Sequence, residues 1–203
     1  MIAPPDYLSA DDYLRLEADS DIKHEYIDGG AYAMAGVSDV HVTISLNLAV
    51  LLRVHTRGSG CRVYISDMKL RVEATNSFFY PDVMVTCDPR DGESRNHKGF
   101  PKVLVEVLSD STEAFDRGDK FASYRTLETL EEYVLISTRH RRVEIFRRGE
   151  AGRWVLETYS DGKETFALES LGFTGTVAEL YEDVSLEDLG ERLPGDVPTD
   201  KDV

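Results

Sequence analysis

The chain has 203 residues, 41% of them hydrophobic, and a formal net charge of −15 from 38 acidic and 23 basic residues. This composition supports a folded core and excludes a disordered chain, and no apolar run reaches the ~20 residues that span a membrane. The acidity at first argues against nucleic acid as a partner, because DNA-binding domains usually carry surplus Lys and Arg.

The first quarter of the chain predicts a short helix, a hairpin and a longer helix. Ser9, followed by two acids, is typical of a helix N-terminus. Residues 24–28, a Gly-Gly turn and residues 31–35 predict a β-hairpin. Ser38 then caps a helix that runs from about residue 39 to residue 55. The apolar residues that recur at helical spacing in it are Val42, Leu46, Ala49, Val50 and Val54.

The rest of the chain predicts mainly strands, interrupted by one helix. The run at residues 102–108 (KVLVEVL) is almost entirely apolar, which is typical of a strand buried on both faces of a sheet. Thr112 opens a helix over residues 113–127, and residues 88–99 predict a polar loop. Further strands are predicted at 61–66, 69–73, 82–86, 132–137, 141–147, 154–159 and 165–168.

This order of elements predicts an α/β fold: a central mixed β-sheet flanked by helices, with an added antiparallel β region. We expect a single domain over residues 1–185 and an acidic tail rich in Pro and Asp at 186–203. The acidity is concentrated at the ends, because residues 1–28 carry a net −6 and residues 179–203 a net −7. The central segment is therefore nearly neutral, and the objection to nucleic acid weakens.

Two carboxylates stand in apolar strands. Asp82 follows Pro81 and opens the strand DVMV, and Glu106 lies inside KVLVEVL. An unpaired buried carboxylate costs several kcal/mol, so each needs a cation, a metal ion or a proton. Two carboxylates at the ends of adjacent strands would offer oxygen ligands to a hard cation such as Mg²⁺.

A lysine on the next helix completes a candidate site. Asp116, Lys120 and Tyr124 are spaced i, i+4, i+8 and share one helix face. If this helix packs over the sheet, Lys120 reaches the carboxylate pair. Two carboxylates with a metal ion, together with an ammonium group, suffice to hydrolyse a phosphodiester.

The pattern resembles the PD-(D/E)xK nuclease superfamily, with Pro81-Asp82, 23 intervening residues and then Glu106-Val107-Leu108. Leu108 stands where the pattern has lysine, and Lys120 is the candidate for a migrated lysine. The chain is more closely similar to the Uma family of bacterial restriction-endonuclease-like proteins. The matching segments are HEYIDGGAYAMAG, YPDVMV, VLVEVLSDST and EYVLIS.

The resemblance implies a restriction-endonuclease-like core, dependence on Mg²⁺ (or Mn²⁺), DNA as substrate and often a homodimer. It makes Asp82 and Glu106 metal ligands and, with Lys120, the catalytic residues. Glu25, His41 and Tyr124 also match the family pattern and are expected to support the site. The structural alternative for each is an ordinary role in a cap, an ion-pair network or the core.

Two other functions stay open from the sequence alone. One is a non-catalytic binding or regulatory module on a nuclease scaffold, which the leucine at position 108 and the acidic ends favour. The other is a metal-dependent hydrolase of a different phosphoester. Arg141 and Arg142, within the densest basic region, are weak candidates for phosphate contacts, the alternative being a solvated hairpin surface.

The chain is expected to be cytoplasmic. Its N-terminal residues lack the basic and apolar regions of a signal peptide. Cys61 and Cys87 are too few for a disulfide framework and fit a reducing compartment, where they would pack as small apolar side chains.

Overall fold

The computed structural model describes residues 7–160 and 165–186, so nearly all of the predicted acidic tail lies outside the described residues. The strands are β1 (His24–Ile27), β2 (Gly30–Ala33), β3 (Arg62–Ile65), β4 (Lys69–Val72), β5 (Ser77–Phe79), β6 (Val83–Thr86), β7 (His97–Lys98), β8 (Pro101–Leu108), β9 (Glu132–Ser137), β10 (Arg142–Arg148), β11 (Trp154–Ser160), β12 (Thr165–Leu168) and β13 (Phe173–Thr176). The α-helices are α1 (Ala10–Ala18), α2 (Asp39–His55), α3 (Glu113–Phe115), α4 (Phe121–Tyr124) and α5 (Val177–Leu180).

The strands form two larger sheets and a separate hairpin. The main sheet has the order β11-β10-β9-β8-β6-β3, in which β8 and β9 are parallel and the other neighbours antiparallel. The second sheet has the order β2-β1-β5-β4-β7, and β12 pairs with β13. This is the predicted α/β class with a mixed central sheet. Among the described residues no helix combines the length and apolarity needed to cross a bilayer.

Strand β8 lies between two hydrophobic clusters, as its apolar run predicted. Val103, Val105 and Val107 pack in the cluster that contains the inner face of α2, whereas Leu104 and Leu108 pack in the cluster that contains α4. Successive side chains of a strand point to opposite faces, so Glu106 emerges between Leu104 and Leu108. It is only 3% exposed.

Helix α2 has the predicted bounds, but its periodicity does not identify the face that packs on the core. Ser38 caps the helix by accepting a hydrogen bond from the backbone N–H of His41. Of the five apolar residues noted in the sequence, only Ala49 is buried; Val42, Leu46, Val50 and Val54 are exposed. The core face is formed by Ile44, Leu48, Ala49 and Leu52. The helix therefore carries apolar side chains on two sides.

The predicted helix over residues 113–127 is interrupted by a π-helical turn. The described helical segment runs from Glu113 to Tyr124, with the π turn at Asp116–Lys120 between α3 and α4. π turns inside helices are rare, and a large share of those that occur lie at functional sites. Asp116, Lys120 and Tyr124 are all buried, so the shared face predicted from their spacing is present.

Two local predictions are wrong. The segment 88–99 is not a featureless polar loop, because it contains a 3₁₀ turn at Pro89–Gly92, the short strand β7 and the buried side chains of Asp91 and Lys98. The Asp91 carboxylate accepts hydrogen bonds from the backbone N–H groups of Gly99 and Phe100, between β7 and β8, and Lys98 Nζ donates to the Asp91 carbonyl at 2.7 Å.

Cys61 and Cys87 are joined by a disulfide bond rather than packed as free side chains. Strands β3 and β6 pair antiparallel with Arg62 opposite Thr86, so the residues immediately outside this pair face each other. The two cysteines are 26 residues apart, and only the register of the strands brings them together. The bonded pair gives no support to a reducing compartment.

Candidate active site

Asp82 and Glu106 meet where β6 begins alongside β8. Val83 pairs with Val105 in the antiparallel register, which brings the preceding residue Asp82 next to Glu106. Asp82 Oδ2 accepts a hydrogen bond from the backbone N–H of Val107 at 2.7 Å. The side chain of Asp82 is thereby fixed against the strand that carries Glu106.

Lys120 joins this pair from the π turn. Its Nζ lies 3.0 Å from Glu106 Oε1, 3.0 Å from Glu25 Oε1 and 3.4 Å from Asp116 Oδ1. Leu108, at the position of the motif lysine, is instead 3% exposed and packs in the cluster of α4. The ammonium group that the motif lacks on β8 is thus supplied by the adjacent helical segment.

The supporting residues predicted from the sequence also converge here. The Tyr124 hydroxyl donates a hydrogen bond to Glu106 Oε1 at 2.8 Å, and His41 Nε2 lies 3.1 Å from Asp82 Oδ2. Glu25 comes from β1 and also accepts a weak hydrogen bond from the backbone N–H of Tyr80. Six side chains, from β1, α2, the start of β6, β8, the π turn and α4, therefore converge on one polar cluster, which Asp116 extends.

Asp116 is the residue that reasoning from the sequence did not assign to the site. The signal was present, since Asp116 precedes Lys120 by four residues and lies on the same helix face. Its side chain is 4% exposed and its carboxylate faces the Lys120 ammonium. Burial raises the pKa of Asp116 above its ordinary value, and Lys120 offsets part of that effect.

The cluster contains more negative than positive charge. Burial raises the pKa of Glu106 well above its ordinary value; Lys120 lowers it again in part, and the carboxylates of Asp116, Asp82 and Glu25 raise it further. Burial by itself lowers the pKa of Lys120, but Glu106, Glu25 and Asp116 together outweigh this and hold it above its ordinary value. Lys120 is therefore an ammonium at neutral pH.

Tyr124 acts as a fixed donor. Its ring is fully buried, and burial together with the charge of Glu106 raises the pKa of its hydroxyl well above the ordinary value. The phenol therefore keeps its proton and holds one oxygen of Glu106. Phe79 and Tyr133 stack edge-on against the Tyr124 ring, with ring centroids 5.4 Å away in each case, and fix its orientation.

The cluster opens into a pocket of about 250 Å³. One wall is the β1–β2 hairpin and the segment that follows it, which contribute exposed Tyr32, Met34 and Val37. The lining also includes the turn after β8, with the hydroxyl-bearing residues Ser109, Ser111 and Thr112. The carboxylates lie at the floor of this pocket, and hydroxyl and apolar groups surround its mouth.

The carboxylate oxygens of this pocket are the donors that a divalent cation would use. Within residues 7–160 and 165–186, no group of three or more His, Cys, Asp or Glu side chains is arranged to hold a metal ion by itself. Mg²⁺ is usually bound by one or two carboxylates, with waters and substrate phosphates filling the other positions. Asp82 and Glu106 provide that pair of carboxylates, and the acid surplus around them favours a cation. The residues fit Mg²⁺ or Mn²⁺.

The two weak candidates for nucleic-acid contacts lie elsewhere. Arg141 lines a different pocket together with Glu179, Glu182 and Asp183, and Arg142 Nε lies 3.8 Å from Glu144 Oε2. Neither lines the pocket of Asp82 and Glu106. Each of these arginines thus has acidic neighbours, and neither belongs to the candidate active site.

Comparison with known proteins identifies a family and two similar relatives. A family described as Uma2, "putative restriction endonuclease", matches residues 10–178. Protein slr1290 of Synechocystis sp. PCC 6803 is 38% identical over 179 residues, covering 88% of this chain and 94% of the relative. Protein sll1609 of the same organism is 34% identical over 158 residues, covering 77% and 89%.

A solved structure shares the fold. The crystal structure of a "putative nuclease belonging to DUF820" from Anabaena variabilis superposes with a TM-score of 0.72 and covers 88% of this chain and 99% of that one. The sequence identity is 14%, so this match bears on the fold alone. The restriction-endonuclease-like architecture expected from the sequence is confirmed by it.

Proposed function

The chain belongs to the Uma2 family, and from this premise we propose that it is a Mg²⁺-dependent endonuclease that hydrolyses DNA phosphodiester bonds. The family description and the solved neighbour support a nuclease-like function. The observation that carries the finer proposal is the charge balance of the pocket, in which three carboxylates surround one ammonium group and a fourth carboxylate, that of Asp82, lies beside Glu106.

The acid surplus makes a cation necessary for this chemistry. A phosphodiester is anionic, and a pocket with net negative charge repels it at close range. Asp82 and Glu106 are the residues that would hold Mg²⁺ or Mn²⁺. When bound, the ion supplies positive charge that polarises the phosphodiester and makes water a stronger acid.

The side chains of the chain itself have distinct tasks in this proposal. Lys120, kept protonated by three carboxylates, offsets the negative charge that develops on the phosphate during attack. Tyr124 holds Glu106, and the Val107 N–H and His41 hold Asp82, so that both carboxylates keep one orientation. Preorganised groups of this kind need no rearrangement as the reaction proceeds.

The test is cleavage of supercoiled plasmid in 5 mM MgCl₂ or MnCl₂, with EDTA as the metal-free reference. We expect nicking or linearisation that Asp82→Asn, Glu106→Gln and Lys120→Met each reduce by about 100-fold or more, the scale seen when one preorganised group is removed. The matched controls are Lys102→Met and Glu131→Gln, which break a partly exposed ion pair of similar length, 2.8 Å, whose residues do not line the pocket.

Thermal melts measure binding of the cation independently of DNA cleavage. Wild-type protein is expected to melt higher in MnCl₂ than in EDTA, because an ion that binds only the folded state stabilises it by RT ln(1 + [L]/Kd). The shift should vanish in the double variant Asp82→Asn/Glu106→Gln. DNA binding without cleavage in either metal would leave a binding module as the function, and cleavage by the double variant would remove these residues from the mechanism.

A further inference from the structure

Helix α2 carries a second apolar row on the side away from the core. Val42, Leu46, Val50 and Val54 recur every four residues, so they form one line along the helix. Each is between 52% and 61% exposed. The core side of the same helix already buries Ile44, Leu48 and Leu52, so the outer row does not serve the fold of one protomer. A helix with apolar residues all round is normally covered on both sides.

The outer row of α2 has a charged residue of opposite sign at each end, at the same spacing from the row. Asp39 lies at the first position of the helix, and Arg57 lies in the turn that follows it. Asp39 is three residues before Val42, and Arg57 is three residues after Val54. Both side chains are exposed. The face is thus acid, four aliphatic residues and base, in that order.

The family resemblance implies a homodimer but no interface, and we propose that the outer face of α2 is that interface, with two copies of the chain pairing α2 antiparallel about a two-fold axis. With the axis midway between Leu46 and Val50, Leu46 of each copy faces Val50 of the other, and Val42 faces Val54. The same symmetry sets Asp39 opposite Arg57 twice. An interface of this kind is isologous, since one patch must complement itself, and the reversed charges at its two ends meet that condition.

The surface beside the row offers room for the second copy. A groove of about 490 Å³ runs along the C-terminal half of α2. Its lining is mainly apolar, with Val50, Val54, Val63, Ile65 and Met68, and the charged residues Arg53 and Asp67 also contribute to it. Ile65 belongs to β3, the edge strand of the main sheet, and is itself 50% exposed. The antiparallel pairing brings Leu46 and Val42 of the second copy to the side of the helix that borders this groove. The aliphatic row and the groove therefore form one continuous apolar surface.

Sedimentation velocity of the full chain from 1 to 100 µM tests the proposal. Wild-type protein is expected to show a concentration-dependent dimer, and Leu46→Glu/Val50→Glu should raise its dissociation constant by about 30-fold or more, the effect of removing a central apolar contact. Val155→Glu is the matched control, because Val155 is 54% exposed but lies on β11. Far-UV circular dichroism and a melt establish that each variant folds.

A charge exchange tests the antiparallel register. Asp39→Arg and Arg57→Asp should each weaken the dimer by about tenfold at 20 mM salt, because each creates two like-charge contacts. Mixing the two single variants should restore dimers, since a mixed pair again has opposite charges at both ends. A wild-type protein that stays monomeric, a dimer that survives Leu46→Glu/Val50→Glu, or a mixture that does not recover would each overturn the proposal. This test does not depend on nuclease activity.

Discussion

Ionisable side chains are usually exposed and aliphatic side chains usually buried, and the pocket around Lys120 and the outer face of α2 each reverse one half of this rule. In the pocket, ionisable groups are placed inside: Glu106, Asp116 and Lys120 are each at most 5% exposed. On the outer face of α2, aliphatic side chains are placed in water. Departures of either kind lower the stability of a lone protomer and are expected at functional sites rather than elsewhere. The two regions are joined by α2 itself, whose first turn carries His41 into the pocket.

The largest expected effect is the removal of the ammonium group from the pocket. Lys120→Met leaves the buried Glu106 and Asp116 and the partly buried Glu25 without their cation, and we expect it to lower the free energy of unfolding by about 3–5 kcal/mol at pH 7. Urea denaturation measures this value. Lys102→Met, at a partly exposed ion pair, should change it by no more than about 1 kcal/mol. Equal losses in the two variants would show that the pocket has no special electrostatic role.

A pair of truncations on α2 measures the difference between its faces. Leu48→Ala, on the core side, is expected to cost about 2–5 kcal/mol, because it leaves a cavity in a packed cluster. Leu46→Ala, on the outer side, should change the stability of the monomer by no more than about 0.5 kcal/mol. Urea denaturation at submicromolar protein, where a dimer would dissociate, gives both numbers. A large loss for Leu46→Ala under these conditions would mean that the outer row packs within its own protomer.

The third expected effect is a gain in stability. The folded-state pKa of Glu106 is raised, so the protonated form is favoured by folding; its contribution to stability is full below the ordinary pKa of about 4.5 and is lost as the pH rises. Glu106→Gln is permanently neutral and escapes this loss. We expect the variant to melt about 2–4 °C above wild type at pH 8 in EDTA, with a smaller difference at pH 5.

Added Mn²⁺ provides the control for the higher melting temperature expected of Glu106→Gln. A cation bound at Asp82 and Glu106 should raise the melting temperature of wild-type protein at pH 8 and reduce or reverse its deficit relative to Glu106→Gln. A variant that is less stable than wild type at every pH would indicate that Glu106 stabilises the fold through Lys120 and Tyr124 more than its burial destabilises it.

Much of the candidate site was predictable because its parts are local. The carboxylate inside KVLVEVL is visible from its apolar neighbours, and the shared face of Asp116, Lys120 and Tyr124 follows from helical spacing. The π turn within that helix was not predicted, because no residue pattern distinguishes it from an α-helical turn. Glu25 and His41 were identified by family resemblance, and their contacts with Lys120 and Asp82 depend on how β1 and α2 pack against the sheet.

The sequence by itself determined ten of the thirteen described strands, but not β5, β7 or β13. It also determined the bounds of α2 and the types of side chain that an acidic, lysine-containing site requires. Only the tertiary structure decided which of the two apolar sides of α2 faces the core, that Cys61 meets Cys87, and that Asp116 joins the site. Periodicity reports the geometry of one element, in which neighbours are fixed by covalent spacing. The register between strands and the rotation of a helix against a sheet are set by packing among residues far apart in the chain, which a local pattern does not encode.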